Sequence, residues 1–199
     1  MEHDYLIIEE QDKNLVVTGF KDNAPNDIVI PEGVTKIGEY AFKRCAYIKS
    51  VIIPESVIVI DSEAFCECTG LTSVVIPSSV RKIDFFAFYG CKCLTSIVIS
   101  DGVEMINWCA FAECASLISV FIPDSIEELG LGAFFHCINL TDASIPDHLL
   151  KDAEEAFGKD SPVNITIRTN DDFKNNSNML WHMNISISHR ALNDIQSFD

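Results

Sequence analysis

The sequence predicts a repeat solenoid, mostly β within the α/β class, and two observations carry that prediction. The chain repeats itself at a step of 23 residues. Pro31, Pro54 and Pro77 recur as Pro123 and Pro146; Phe42 recurs as Phe65, Phe88, Phe111, Phe134 and Phe157; Cys45 recurs as Cys68, Cys91, Cys114 and Cys137. A fixed period of this length with apolar residues at fixed offsets marks units that cannot bury their own apolar faces and stack on their neighbours to do so. The second observation lies inside the unit. In the third one, Leu71, Val74 and Ile76 are spaced three and then two, so the latter two point to one side of a strand while Ser73, Val75 and Pro77 face the other.

Each element follows in order. Residues 1–27 read as a hairpin cap, with short strands over Tyr5–Glu9 and Leu15–Thr18 and a polar turn from Glu10 to Asn14. A terminal unit of this kind covers the apolar end that a first coil would otherwise expose. Five full units start at Ile28, Val51, Val74, Ile97 and Val120, and a degenerate sixth starts at Ala143. Pro77 ends its strand because it has no amide hydrogen for a ladder. Val80, Ile83, Ala87 and Phe88 point inward as the chain returns, and Cys91 and Leu94 close the coil. In the sixth unit Asp152 and Asp160 stand at an isoleucine and a cysteine position, so the repeat decays there, with a helical turn or two over Asp152–Phe157. Val163–Arg168 and Asn184–Ser188 alternate as added strands would. The expected organisation is one continuous domain: cap 1–27, repeats 28–168, and an irregular C-terminal capping segment 169–199.

The units carry a recognisable pattern. IPESVIVIDSEAFCECTGLTSV at 53–74 and its counterparts resemble the BspA-type leucine-rich repeat of bacterial and protist surface proteins, which reads I-P-x-x-V-x-x-I-x-x-x-A-F-x-x-C-x-x-L-x-x-V. The resemblance covers Ile28 to about Phe157, with Ser100 departing from the proline of the fourth unit. It implies a solenoid of the leucine-rich-repeat type, a right-handed coil with a parallel sheet on its concave side. It also implies a role in binding proteins or surfaces rather than catalysis.

Bulk composition narrows the partners. Thirty acidic against fourteen basic residues give a net charge of −16, which argues against nucleic acid or anionic lipid as the main partner. No apolar run is long enough to span a bilayer. The amino terminus MEHDYLIIEE has acids where a secretory signal carries bases. The expected localisation is cytoplasmic as the sequence is written, with cell surface or secreted as the alternative where a signal segment has been removed. Five of the eight cysteines share one repeat position, which reads as a buried, reduced column. Cys66 and Cys93 fall in loops and would be reactive only if exposed.

Catalytic chemistry is not evident. The five histidines show no ligand spacing, and the C-x-C pairs Cys66/Cys68 and Cys91/Cys93 lack the convergent set that zinc needs. Nucleophile, phosphate-loop and metalloprotease motifs are lacking, so no catalytic residue, metal or cofactor is expected. Asn139, Asn164, Asn175 and Asn184 head Asn-x-Ser/Thr triplets, which matter only in a eukaryotic secretory setting.

Two surface rows carry the functional expectation. Ile52, Val75, Val98 and Phe121, followed by Ser144, form an apolar strip along the outer face of the strands, and such strips on solenoids are where partners dock; the competing account is ordinary strand preference. On the loop side Glu39, Ser62, Phe85, Trp108 and Leu131 share one position and become apolar toward the carboxyl end, with Phe86, Tyr89, Phe135 and His136 nearby. A tail folding back through Met179, Leu180 and Trp181 is the other account of these aromatics.

Charge divides the same way. From Cys93 to Leu150 stand Asp101, Glu104, Glu113, Asp124, Glu127, Glu128, Asp142 and Asp147, and no lysine or arginine. A one-sign field steers an oppositely charged partner, although a merely solvated face has the same composition. The function expected is a non-catalytic protein-binding module whose partner is a protein with a basic surface. The alternatives are a surface adhesin fragment, as the resemblance implies, or a cytoplasmic immunity- or antitoxin-like binder of a basic effector.

Overall fold

The computed structural model describes residues 3–158 and 161–169. The chain divides into two compact units, Met1–Ile167 and Arg168–Asp199, and the repeats lie in the first. The tail readings, including Asn184–Ser188, Met179, Leu180 and Trp181, lie outside the described residues, as does Asp160.

The chain opens with a hairpin of β1 (Leu6–Gln11) and β2 (Asn14–Phe20), joined by Asp12 and Lys13. Both turn residues have positive φ, 51° and 68°, which suits the right-handed twist of a two-residue hairpin turn. The strands are longer than expected, and β2 continues into the repeats by parallel pairing with β4 (Val34–Ile37).

Each turn of the solenoid then contributes two strands. The first set is β3 (Asp27–Val29), β5 (Ser50–Ile52), β7 (Ser73–Ile76) and β9 (Ser96–Ile99), a four-stranded parallel sheet in that order. The second set is β4 with β6 (Val59–Ile60), β8 (Lys82–Ile83), β10 (Met105–Ile106) and β12 (Glu128–Leu129); together with the hairpin it makes seven strands. The family resemblance implies a parallel sheet on the concave side, and the structure adds a second one. β11 (Ser119–Phe121) and β13 (Asp142–Pro146) form a separate sheet with β14 (Asn164–Arg168), so the first ladder is interrupted between β9 and β11. The decaying sixth turn folds into a 3-10 turn, Asp147–Leu149, and helix α1, Leu150–Phe157.

Corners between the two sheets fall at the prolines. Pro77, expected to face outward, is buried there, as are Pro54 and Pro123. Gly102 occupies a turn position with φ +123°, where an added Cβ would lie 2.1 Å from the Ser78 carbonyl oxygen. Only glycine fits that approach.

The core is a set of columns running along the solenoid. Phe42, Phe65, Phe88, Phe111, Phe134 and Phe157 are all buried, and neighbouring rings stack with centroids 5.0–5.3 Å apart and planes within 12°. Phe20 of the hairpin extends the column, stacking on Phe42 at 5.8 Å. The ring spacing matches the rung spacing set by the backbone ladders, so stacking follows from the repeat.

The cysteine column has its own role. The thiols of Cys68, Cys91, Cys114 and Cys137 donate to the carbonyls of Phe42, Phe65, Phe88 and Phe111 at 3.0–3.3 Å, one turn back. All eight cysteines are free. Burial pushes the Cys68 and Cys137 thiols up to about 12, which keeps them protonated donors.

Candidate functional site

The second sheet and the loop that follows it carry the exposed aromatics. After Ile83 turns inward, Asp84 accepts a hydrogen bond from its neighbour's amide, Phe85 N to Asp84 Oδ1 at 2.9 Å. One turn on, Asn107 donates from Nδ2 to the same oxygen at 2.7 Å. Both side chains are buried, and this pair secures the bend after which Phe85 and Trp108 turn outward. Backbone rungs fix the column: Glu63 donates to the Phe85 carbonyl, Phe86 to that of Trp108 and Cys109 to that of Leu131, at 2.9–3.2 Å.

The residues that start each rung are held in strained conformations. Glu63, Phe86 and Cys109 have φ between 53° and 56°, the left-handed region that costs a non-glycine residue on the order of 1–2 kcal/mol. The rung hydrogen bonds and the buried Ala-Phe pair behind them hold this backbone in place, so the outward residues sit on a rigid frame.

Trp108 is 55% exposed and Leu131 54%, with Phe85 at 39%. The indole meets Phe85 edge to face, centroids 5.9 Å apart at 77°. Beneath it, a Cβ on Gly130 would stand 2.9 Å from Trp108 Cδ1 and 2.6 Å from its backbone nitrogen. The missing side chain therefore admits the ring. Gly130 was not among the residues expected to matter; the signal available was that it breaks a polar column, Asp61, Asp84, Asn107, at the same repeat position.

Beside this column the strand residues Lys82, Met105 and Glu128 lie in register on β8, β10 and β12. Arg81, Glu104 and Glu127 precede them, and these six residues line an open depression. Arg81 reaches Glu104 at 3.6 Å, and Lys82 Nζ lies 2.8 Å from Asp84 Oδ2 and 5.9 Å from the Phe85 ring centroid. Among the described residues Glu127 and Glu128 form no ion pair. Phe135 is 45% exposed and stacks on His136 at 3.9 Å, in the same turn as Leu131.

The expected residues separate into two groups. Ile52 and Val75 are exposed on the first sheet, at 37% and 46%, while Val98 is half-buried. Phe121 is half-buried too and belongs to the other side of the ladder break. Phe85, Trp108 and Leu131 form one rung-linked column on the loop after the second sheet, and Glu104, Glu127 and Glu128 line the depression at the strands that precede it.

Cys66 is buried, and burial pushes its thiol up to about 11, so it is no nucleophile at neutral pH. Cys93 is exposed. A second depression, lined by residues including Arg44, Glu67, Tyr89 and Glu113, carries both signs of charge. There a hydrogen bond to Glu113 raises the Tyr89 phenol to about 12. No group of three or more metal-capable side chains converges among the described residues, and no helix among them is long and apolar enough to cross a membrane.

These features define a leucine-rich-repeat solenoid with an aromatic and acidic outer surface. The chain belongs to the BspA-type leucine-rich repeat family, whose model matches residues 14–141 and 58–188 in six copies. A comparison with curated proteins finds no match. Solved structures are similar. A leucine-rich repeat protein of T. pallidum superposes with a TM-score of 0.71 at 23% identity, over 85% of this chain and 83% of that one. A leucine-rich cell surface protein of Faecalibacterium prausnitzii gives 0.57 at 24% identity, and a leucine-rich repeat protein of Eubacterium ventriosum 0.59 at 19%. The match covers 84% and 79% of this chain but only 38% and 47% of those two. At these identities the likeness is one of fold.

Proposed function

We propose that this chain is a non-catalytic protein-binding module whose partner lays a basic surface against the third to fifth turns, around Phe85, Trp108 and Leu131. The observation that carries the reading is Trp108, more than half exposed next to the positive-φ residue Cys109 on a hydrogen-bonded rung, with Leu131 one rung on. Glu127 and Glu128, which form no ion pair among the described residues, stand at the strand that precedes Leu131. Soluble proteins seldom leave a tryptophan and a leucine side by side in water, and rigid aromatic anchors are where interface energy concentrates. The surrounding acids speed encounter with a basic partner and reject acidic ones.

Affinity capture from the native host with the wild-type chain and with a Trp108→Ala/Leu131→Ala variant tests this. A partner held by the wild type should bind the variant about 10- to 100-fold more weakly, the range of an anchor loss of roughly 1.5–3 kcal/mol. Equal capture by both would discard the surface. The apolar strip of Ile52 and Val75 serves as the internal control. Loss of the partner on Val75→Asp alone would move the site to the first sheet.

The setting is a separate proposal, surface display. Its support is the family's bacterial surface type together with the cell-surface description of the F. prausnitzii relative. Protease shaving of intact host cells releases peptides of this chain if it is displayed; their appearance only after lysis supports a cytoplasmic binder.

A further inference from the structure

We propose that Trp108 is the floor of a seat for one lysine or arginine side chain of the partner, with Glu127 and Glu128 as its counter-charges. This rests on the protein-binding reading of the same surface and names the chemistry it recognises. The molecule already contains the arrangement twice, complete, in its first three turns. Lys43 Nζ lies 4.7 Å from the centre of the Tyr40 ring and pairs with Glu63. Lys82 Nζ lies 5.9 Å from the centre of Phe85 and 2.8 Å from the Asp84 carboxylate. In each, an ammonium rests over an aromatic face with a carboxylate beside it.

One rung further the aromatic part recurs, while the ammonium and the carboxylate of these positions are both replaced. Phe85 becomes Trp108, the aromatic ring with the strongest attraction for a cation. Lys82 becomes Met105, which is neutral, and Asp84 becomes Asn107. The next rung then supplies Glu127 and Glu128, without an ion pair among the described residues. No lysine or arginine occurs between Cys93 and Leu150 to fill the place, and Arg81 and Lys82, which line the same depression, are paired with Glu104 and Asp84. The indole is also held ready: Phe85 contacts it edge-on and Gly130 leaves room beneath it. The occupant is therefore a cation on an apolar stem, a chain that packs along Met105 and Leu131 while its charge meets the ring and the two carboxylates. An anion is repelled, and a neutral apolar segment would leave Glu127 and Glu128 facing it unpaired.

Titration of the full chain with hexalysine tests the seat. Trp181→Phe leaves Trp108 as the sole tryptophan reporter, and hexalysine acetylated on every side-chain nitrogen is the uncharged control. The expected result is a saturable change in Trp108 fluorescence with hexalysine, and none with the acetylated peptide. By calorimetry, Trp108→Ala should weaken hexalysine binding roughly 3- to 30-fold and Trp108→Phe less. Glu127→Gln/Glu128→Gln should weaken it and flatten its salt dependence.

Equal binding by wild type and Trp108→Ala overturns the proposal, because the acidic field alone then holds the peptide. So does equal binding of the acetylated peptide, which would make the surface an apolar platform, and so does no binding at all. A captured partner that is lost on Trp108→Ala/Leu131→Ala while hexalysine leaves Trp108 unmoved overturns the seat and leaves the protein-binding reading standing.

Discussion

The first three turns and the next two have the same interior and different exteriors. Phe42, Phe65 and Phe88 continue into Phe111 and Phe134 without a change of spacing, and the backbone rungs behind them keep their length. Outside, Lys36, Lys43, Arg44, Arg81 and Lys82 each meet a carboxylate. The fourth and fifth turns have acids and aromatics in the corresponding columns and no base of their own. The inner columns specify the coil because every turn must stack on the next, whereas the outer ones carry no such requirement. Differences between turns on the outside are therefore where function is to be sought in this fold.

The comparison can be broken most forcefully at neighbouring phenylalanines. Phe88→Ala opens a cavity in the stacked column and should cost about 3–5 kcal/mol in denaturant unfolding, whereas Phe85→Ala, on the surface three residues earlier, should cost under about 1 kcal/mol. Similar losses at both would mean that the exposed column is structural after all. Next in size is the response to alkali. Unfolded thiols ionise near pH 9, while Cys68 and Cys137 hold their protons in the fold to about 12. The native state thus binds more protons in that window, and the stability present below pH 9 should be lost as pH rises toward 12. Thermal unfolding followed from pH 8 to 11 checks this, and Cys68→Ala should blunt the fall; an unchanged slope would mean that the thiol carries none of it.

The smallest effects sharpen the contrast of charges. Lys82→Met gives the third turn the residue of the fourth and removes the ammonium from the nearly buried Asp84, a loss of about 1 kcal/mol or less. Glu127→Gln should do the reverse, raising the unfolding midpoint slightly at low salt and not at high salt, since it relieves like-charge repulsion.

Much of this is legible in the sequence. The 23-residue step identified the Phe and Cys columns, and the same step aligned Phe85, Trp108 and Leu131 on one outer position. The second sheet was not legible, because strands such as Val59–Ile60 and Lys82–Ile83 have two residues and no alternation to read. Phe20 escaped for another reason: it stands 22 residues before Phe42, off the period, and only the hairpin brings it onto the stack. Pro77 is buried rather than outward because strand alternation ends at Ile76 and the chain bends there into the corner. At the surface, composition showed where bases end. It could not show that Lys82 rests against Phe85, nor that Gly130 admits the Trp108 indole.

What the sequence determined by itself was the interior, since a repeated apolar pattern has one economical way to be buried and that way is stacking. What the tertiary structure alone decided was which surface residues meet: side chains a full turn apart in sequence become neighbours only once the rungs set their register. The thiol of Cys68 finds the Phe42 carbonyl 26 residues back, and Asn107 finds Asp84 across 23. Such contacts depend on rung height and side-chain direction, which a one-dimensional period does not encode.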